Sequence, residues 1–503
     1  MKRNKTLYRI LILSGFILIN AGNLYGISQV IAYLNSGADR SKMLHLKNDR
    51  TRSYKPEVHW ESIENPGRPM EAATQKAIEE DYLDAWYVKN NAFFTGDDTG
   101  IFDHYTASAR TKIGDLLAVN KEQNTTIEAT TIAHHLSLEF YSADGTLAVL
   151  TDRGVQGVER VFKNDKFILE RHFNDDYKII LLLEDGFWRI RHFEKIANTT
   201  HTPSYTPVSL DTALLEGINY YPQMSPWDTF GEKFSSDTLS KDFKIVKDLR
   251  LNSVRIFVGY EDFGKGEVSK LKLTRLKTLL NEAHSNNLQV VVTLFDFYGN
   301  YHMEDWTLTN AHLKSIVKAI KDHPALLAWD LKNEPDLDFD NRGEREVLSW
   351  LTHSINYLKE MDPMHPITIG WSSPEKALLL ENKVDIVSYH YYRDLEDFAT
   401  AHATLTNATS KPVVLQEFGM SSYRGLWSPF GNSKKDQADY YAEFFKTQKR
   451  DSIHYLSWTL FDFRGIPNRV AGHLPWRKNK QACFGIIDKL GVKVDAYSII
   501  KHR

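Results

Sequence analysis

At 503 residues and 42% hydrophobic side chains, the chain is long enough for more than one domain and a sizeable core. Its formal net charge of −3 removes the electrostatic case for a nucleic-acid partner. A single cysteine, Cys483, excludes an internal disulfide framework and any cysteine-based zinc site.

Lys2, Arg3, Lys5 and Arg9 precede an apolar run from Ile10 to Ile19, and apolar character resumes from Leu24 to Leu34. A basic start before an apolar stretch is the pattern of a targeting segment. Read as one uncleaved span, Leu7–Leu34 is long enough for a bilayer and makes residues 1–34 a signal-anchor with a transmembrane helix. The competing reading is cleavage near Ala21, which releases a secreted or periplasmic protein. In both, the bulk of the chain is expected outside the cytoplasm, in the cell envelope. Residues 35–68 are polar and aperiodic and read as a linker, punctuated by Pro66, Gly67 and Pro69.

Residues 70–196 carry helical signals first and strand signals afterwards. Helices are expected over Glu71–Asn91 and Ala107–Leu117. Strands are expected at Thr125–Tyr141, Leu147–Val155, Gly157–Phe162, Asp176–Glu184 and Phe187–Phe193, separated by turn pairs such as Asp144-Gly145, Asn164-Asp165 and Asp185-Gly186. The order suggests a smaller α+β domain with a curved antiparallel sheet. Its ending, YKIILLLEDGFWRIRHFE, resembles the nuclear-transport-factor-like (cone) fold. His134, His135, His172 and His192 read as strand-face residues rather than metal ligands.

After a polar linker, Ala197–Thr206, residues 207–503 alternate short β-branched runs with helical patterns, which indicates a parallel sheet of βα units. Eight runs are countable: Gly217–Tyr221, Ser253–Val258, Gln289–Phe295, Leu326–Leu331, Ile367–Trp371, Ile386–Tyr389, Val413–Gln416 and Tyr455–Leu460. The expected fold class is therefore α/β, a (β/α)8 TIM barrel preceded by the α+β domain. Such barrels carry their chemistry at the C-terminal ends of the strands. There the second run contains Arg255 and the third ends at Asp296. The fourth leads into Asn333-Glu334-Pro335, the sixth into His390-Tyr391-Tyr392 and the seventh into Glu417-Phe418-Gly419, while the eighth contains Trp458.

In LKNEP, HYY, VVLQEFG, SWTLFDF and the tail FGIIDKLGVKVDAY, this region resembles the clan A glycoside hydrolases, the cellulase-like family 5 above all, with features of family 2. Cleaving a glycosidic bond takes one carboxylic acid to protonate the departing oxygen and a second carboxylate to attack or to activate water. The resemblance implies that Glu334 is the acid/base and Glu417 the nucleophile of a retaining β-glycoside hydrolase working by double displacement. It implies substrate contacts for Arg255, Asn333, His390, Tyr392, Trp458 and Asp296. Arg255 and Tyr392, with Tyr391 as the alternative, would keep Glu417 ionised. Asn333 would meet the sugar 2-OH, His390 the sugar or Glu334, and Trp458 would floor the reacting subsite. Family members often carry a histidine near the end of strand three; here FDFYGN leaves Asp296, Tyr298 and His302 as candidates. Of Trp227, Trp306, Trp371, Trp427 and Trp476, about half are expected to line a cleft. No metal or organic cofactor is implied. The expected partners are an oligo- or polysaccharide such as β-glucan or β-mannan and a membrane at the N-terminal segment. The α+β domain leaves room for self-association. Rival readings are a transglycosylase or glycan trimmer of polysaccharide assembly and a non-catalytic carbohydrate-binding envelope protein.

Overall fold

The computed structural model describes residues 13–16, 18–27, 54–65, 68–198, 208–210, 214–425 and 428–503. The chain divides into two compact units: residues 47–206 with 301–311, and residues 1–46, 207–300 and 312–503. Residues 13–16 and 18–27 are helical, and among the described residues no helix is long and apolar enough to cross a membrane. The rest of the expected Leu7–Leu34 span lies outside the described residues, as do 35–53 of the first linker and 199–206 of the second.

The first unit is a five-stranded sheet in the order β1 (Glu57–Ser62), β2 (Thr125–Tyr141), β3 (Leu147–Lys163), β4 (Lys166–Glu184) and β5 (Phe187–Asn198). The helix Ala72–Thr95 buries Ile78, Tyr82, Ala85 and Trp86 on one face, at the three- and four-residue spacing that helical geometry dictates. It ends at Gly96, whose φ of 76° lets its N–H reach the Ala92 carbonyl. The hairpins at Asn164-Asp165 and Asp185-Gly186 have positive φ at both central residues, the conformation a two-residue hairpin with right-handed twist requires.

Three sequence expectations are corrected here. Residues 57–62, assigned to the linker, form β1, which pairs parallel with β2. The expected Leu147–Val155 and Gly157–Phe162 are one strand, β3; at Gly157 an added Cβ would lie 2.2 Å from the Phe173 ring, so glycine lets that ring cross the strand. β4 begins ten residues before the expected Asp176. Of the four histidines, His134 is fully buried: its Nδ1 meets Asp152 Oδ2 at 2.6 Å and its Nε2 meets Thr131 Oγ1 at 2.8 Å. Tyr82 donates to the same Asp152 oxygen (2.8 Å).

The second unit is a closed barrel of eight parallel strands: β6 (Glu216–Asn219), β7 (Ser253–Gly259), β8 (Gln289–Asp296), β9 (Leu326–Asn333), β10 (Ile367–Trp371), β11 (Val387–Tyr391), β12 (Val413–Phe418) and β13 (His454–Ser457). All eight expected runs are strands. The eighth ends at Ser457, three residues early, so Trp458 stands just beyond it. Leu215, Val291, Leu327, Ile386, Val414 and Leu456, in the strands or one residue before them, form an apolar cluster.

The helix Ser236–Asp248 is capped by Ser235, whose hydroxyl accepts from the Thr238 N–H, and it carries the buried Asp242. Tyr220 donates to Asp242 Oδ2 (2.7 Å), yet burial outweighs that bond and raises the Asp242 carboxyl to about 6. The folded state thus holds this proton more tightly than the unfolded chain does. Its stabilising contribution is complete below the ordinary aspartate value and is lost as pH rises through about 6. Asp242→Asn lacks that dependence. Relative to the parent, the variant is expected to gain roughly 2 kcal/mol between pH 4 and pH 7. Urea unfolding at both pH values measures it, and a pH-independent difference would refute the assignment.

Candidate active site

The strand-end residues converge on a cavity of about 380 Å³ at the mouth of the barrel. Arg255 of β7, wholly buried, ties several of them together. Its Nη1 donates to Glu417 Oε1 at 2.5 Å and to Asn219 Oδ1 at 3.0 Å. Its Nε and Nη2 both donate to Asp330 Oδ2, at 3.0 and 2.6 Å, and Nη2 also reaches Asn333 Oδ1 at 2.8 Å. Burial works against the cation, but the Asp330 and Glu417 carboxylates outweigh it and hold the guanidinium above the ordinary arginine range. Asp330 is fixed in turn by the Thr293 hydroxyl (2.7 Å) on Oδ2 and the Gly370 N–H (3.0 Å) on Oδ1.

Glu417 sits on β12 and is 5% exposed. Its second oxygen accepts from the Tyr392 hydroxyl at 2.9 Å. Burial, and then the charges of Glu417 and Glu334, push that hydroxyl well above its usual range, so it stays a donor. The alternative, Tyr391, is turned elsewhere and donates to the Asp394 carbonyl (3.0 Å). Glu334 follows β9 with φ 45°, a left-handed conformation disfavoured for a residue with a Cβ. Its N–H donates to the Gly370 carbonyl (2.7 Å). His390 stands between the two glutamates, its Nδ1 2.9 Å from Glu334 Oε1 and 3.6 Å from Glu417 Oε2. One ligand atom from each of Glu334, His390 and Glu417 falls within 4.8 Å of the others. Such a donor set has the geometry to hold a cation, but Glu417 is already held by Arg255 and Tyr392.

Trp458 lines the cavity at 5% exposure and packs near Tyr221, Phe257 and Trp227, with ring centroids 6.1–6.2 Å apart. Asp296 lies in the cavity wall and accepts from the Tyr221 hydroxyl (2.9 Å). Of its two competitors, Tyr298 packs among Tyr260, Phe295 and Trp350, and His302 falls in the segment 301–311 of the first unit. The expected tryptophan lining is corrected: of those described, Trp227 lines the cavity. Trp306 and Trp371 are buried, Trp476 is half-exposed outside the lining, and Trp427 lies outside the described residues. Sequence reading missed Asp330, Asn219 and Tyr221. Asp330 had a signal, because a charge in the middle of an apolar strand must find a buried partner.

Replacing Arg255 with methionine leaves Asp330 and Glu417 buried without their cation. A loss of about 3–5 kcal/mol in denaturant unfolding at pH 7 is expected. A loss below about 1 kcal/mol, the scale of an exposed pair, would show that the ion pairs are solvated.

Residues 216–463 match the family described as Cellulase (glycosyl hydrolase family 5). Among curated proteins, the chain is 28% identical over 181 residues to a putative mannan endo-1,4-beta-mannosidase 4 of Arabidopsis thaliana, covering 27% of this chain and 43% of that protein. It is 30% identical over 146 residues to mannan endo-1,4-beta-mannosidase 1 of Solanum lycopersicum, covering 22% and 36%. It is 23% identical over 281 residues to a beta-glucuronidase of Sus scrofa, covering 51% and 41%. The chain spans less than half the length of each of these relatives. Among solved structures, an exo-beta-1,4-mannosidase from Opitutaceae bacterium strain TAV5 aligns with TM-score 0.47 and 18% identity over 59% of this chain and 60% of that one.

Proposed function

Since the barrel belongs to the cellulase family, glycosyl hydrolase family 5, we propose that the protein is a retaining β-glycoside hydrolase acting on an oligo- or polysaccharide. The observation that carries this reading is the close approach of Glu334 and Glu417, with a carboxylate oxygen of each within 4.8 Å of the other. A retaining pair stands roughly 5–5.5 Å apart, whereas an inverting pair leaves about 6.5–9.5 Å for a water. The short gap leaves room for direct attack.

The chemistry follows from the partners. Glu417, paired with Arg255, attacks the anomeric carbon while Glu334 gives its proton to the departing oxygen. The glycosidic bond breaks, a glycosyl ester forms on Glu417, and the configuration inverts. Glu334, now a carboxylate, takes a proton from water, which attacks the same carbon. The ester bond breaks, the configuration inverts again, and a β-configured sugar leaves. Asn333 is oriented by Arg255 and faces the cavity, where a sugar 2-OH hydrogen bond would strengthen in the transition state.

The substrate class is a β-glycan. The named mannan endo-1,4-beta-mannosidases among the relatives put β-mannan first on a test panel, with β-glucan beside it. Location outside the cytoplasm rests on the basic start and the apolar Leu7–Leu34 run. The full-length protein is expected to fractionate with membranes and to be digested by protease added outside the cytoplasm. Recovery as a soluble cytoplasmic species would overturn that location without touching the hydrolase reading.

The roles of the two glutamates are separable. Glu334→Ala is expected to lose roughly a hundredfold or more on polysaccharide. It should keep its first step on an aryl glycoside with a good leaving group, and azide should restore turnover to give a β-glycosyl azide. Azide with Glu417→Ala should give the α-glycosyl azide by a single displacement. Product configuration by proton NMR decides, and the reverse pattern would exchange the roles.

A further inference from the structure

We infer that Asp330 is a positioning residue that limits how strongly Arg255 holds Glu417, and so keeps that carboxylate reactive. This rests on the reading of Glu417 as the nucleophile. Three guanidinium nitrogens are engaged on the carboxylate side of the site. Nε and Nη2 close on one Asp330 oxygen at 3.0 and 2.6 Å, and Nη1 reaches Glu417 at 2.5 Å. The cation is therefore divided between two anions that are 0% and 5% exposed, where solvent screens them little. Asp330 touches neither the cavity nor Glu334. It lines no part of the cavity wall, and its own oxygens are saturated by Thr293, Gly370 and Arg255. Its charge meets Glu417 through Arg255, while its other oxygen holds Gly370, whose carbonyl accepts from the Glu334 N–H.

The constraint has a chemical reason. A carboxylate that faces an undivided cation at close range is stabilised as an anion and loses basicity and nucleophilicity together. A carboxylate facing no cation takes up a proton or is costly to bury. Splitting the guanidinium charge places Glu417 between these limits. The remaining groups that face it are Glu334 beyond β9, His390 of β11 and Tyr392 beyond β11. Asp296, Arg393, Asp394 and Lys480 stand on the cavity wall, and Tyr441 of the helix Lys434–Asp451 donates to the Trp458 carbonyl. All of these are retained when only Asp330 or Thr293 is changed.

Two variants of the full-length chain move the charge balance in opposite directions. Asp330→Asn keeps the shape and removes the negative charge. Arg255 then acts on Glu417 alone, and the acidic limb of kcat/KM for an aryl β-glycoside should move to lower pH by on the order of one pH unit. The glycosylation rate should fall at least tenfold at the optimum, with KM nearly unchanged. Thr293→Val keeps both charges and deletes one donor to Asp330, which strengthens the negative potential on Arg255. Its acidic limb should move the other way, by roughly 0.3 of a pH unit. A merely structural role for Asp330 would lower activity and leave both limbs in place, and that result overturns the inference. If Asp330→Asn does not fold, the Thr293→Val limb decides, an upward move supporting and a downward or absent one overturning. Hydrolysis that persists in Glu417→Ala would remove the reading beneath the inference and overturn both.

Discussion

A guanidinium sealed inside a barrel is the constraint on which the second unit depends. Arg255 has no exposed surface, and a buried cation costs several kcal/mol unless it is paired and fully hydrogen-bonded. Its partners come from three strands besides its own. Asn219 ends β6, Asp330 and Asn333 belong to β9, and Glu417 lies on β12, while Arg255 itself is on β7. No local segment can supply that set; only the closed sheet brings β6, β7, β9 and β12 around one point. The ion pairs and the barrel therefore require one another. The barrel excludes water from the cation, and the cation fixes the side-chain directions of the residues that line the cavity.

The same constraint explains what the sequence disclosed. Eight β-branched runs were readable because a parallel strand covered on both faces must be apolar nearly throughout. Against that background Arg255, Asn333, Glu334, His390 and Glu417 stand out as polar groups at strand ends, and the structure brings all five together. Asp330 was overlooked although its charge inside the run Leu326–Leu331 called for a buried partner, because nothing in the run says which partner that is. Its meaning appears only with the three-dimensional pairing to Arg255, 75 positions earlier. The tryptophans were misjudged for a related reason. An aromatic residue at the end of a strand or the start of a helix carries no sign of which side it faces, and Trp371 and Trp306 turned inward.

In the first unit, β1 was invisible because its partner, β2, lies some 70 residues away and the six residues EVHWES carry only a short alternation. The early half of β4 was missed because Lys166–Glu170 is largely exposed, so no buried face imposes a period of two there. The buried Tyr82–Asp152–His134–Thr131 chain was likewise beyond local reading. It joins one helix to two strands, and it satisfies polar atoms that would otherwise be costly in an apolar core.

The charge count at the centre of the barrel has a further consequence for the proposed reaction. In the free enzyme Arg255 faces two carboxylates, Asp330 and Glu417. When Glu417 becomes a glycosyl ester it loses its charge, and a guanidinium paired with Glu417 alone would be left buried and uncompensated. Uncompensated buried charge is what makes broken buried pairs so destabilising. Because Asp330 holds two of the guanidinium nitrogens throughout, the cation is paired on both sides of the covalent step. A preorganised site of this kind meets the change of charge on Glu417 without moving its own dipoles. In the proposed reaction Asp330 thus balances the intermediate as well as the resting enzyme, and a residue that lines no part of the cavity sets the electrostatic level at which Glu417 works.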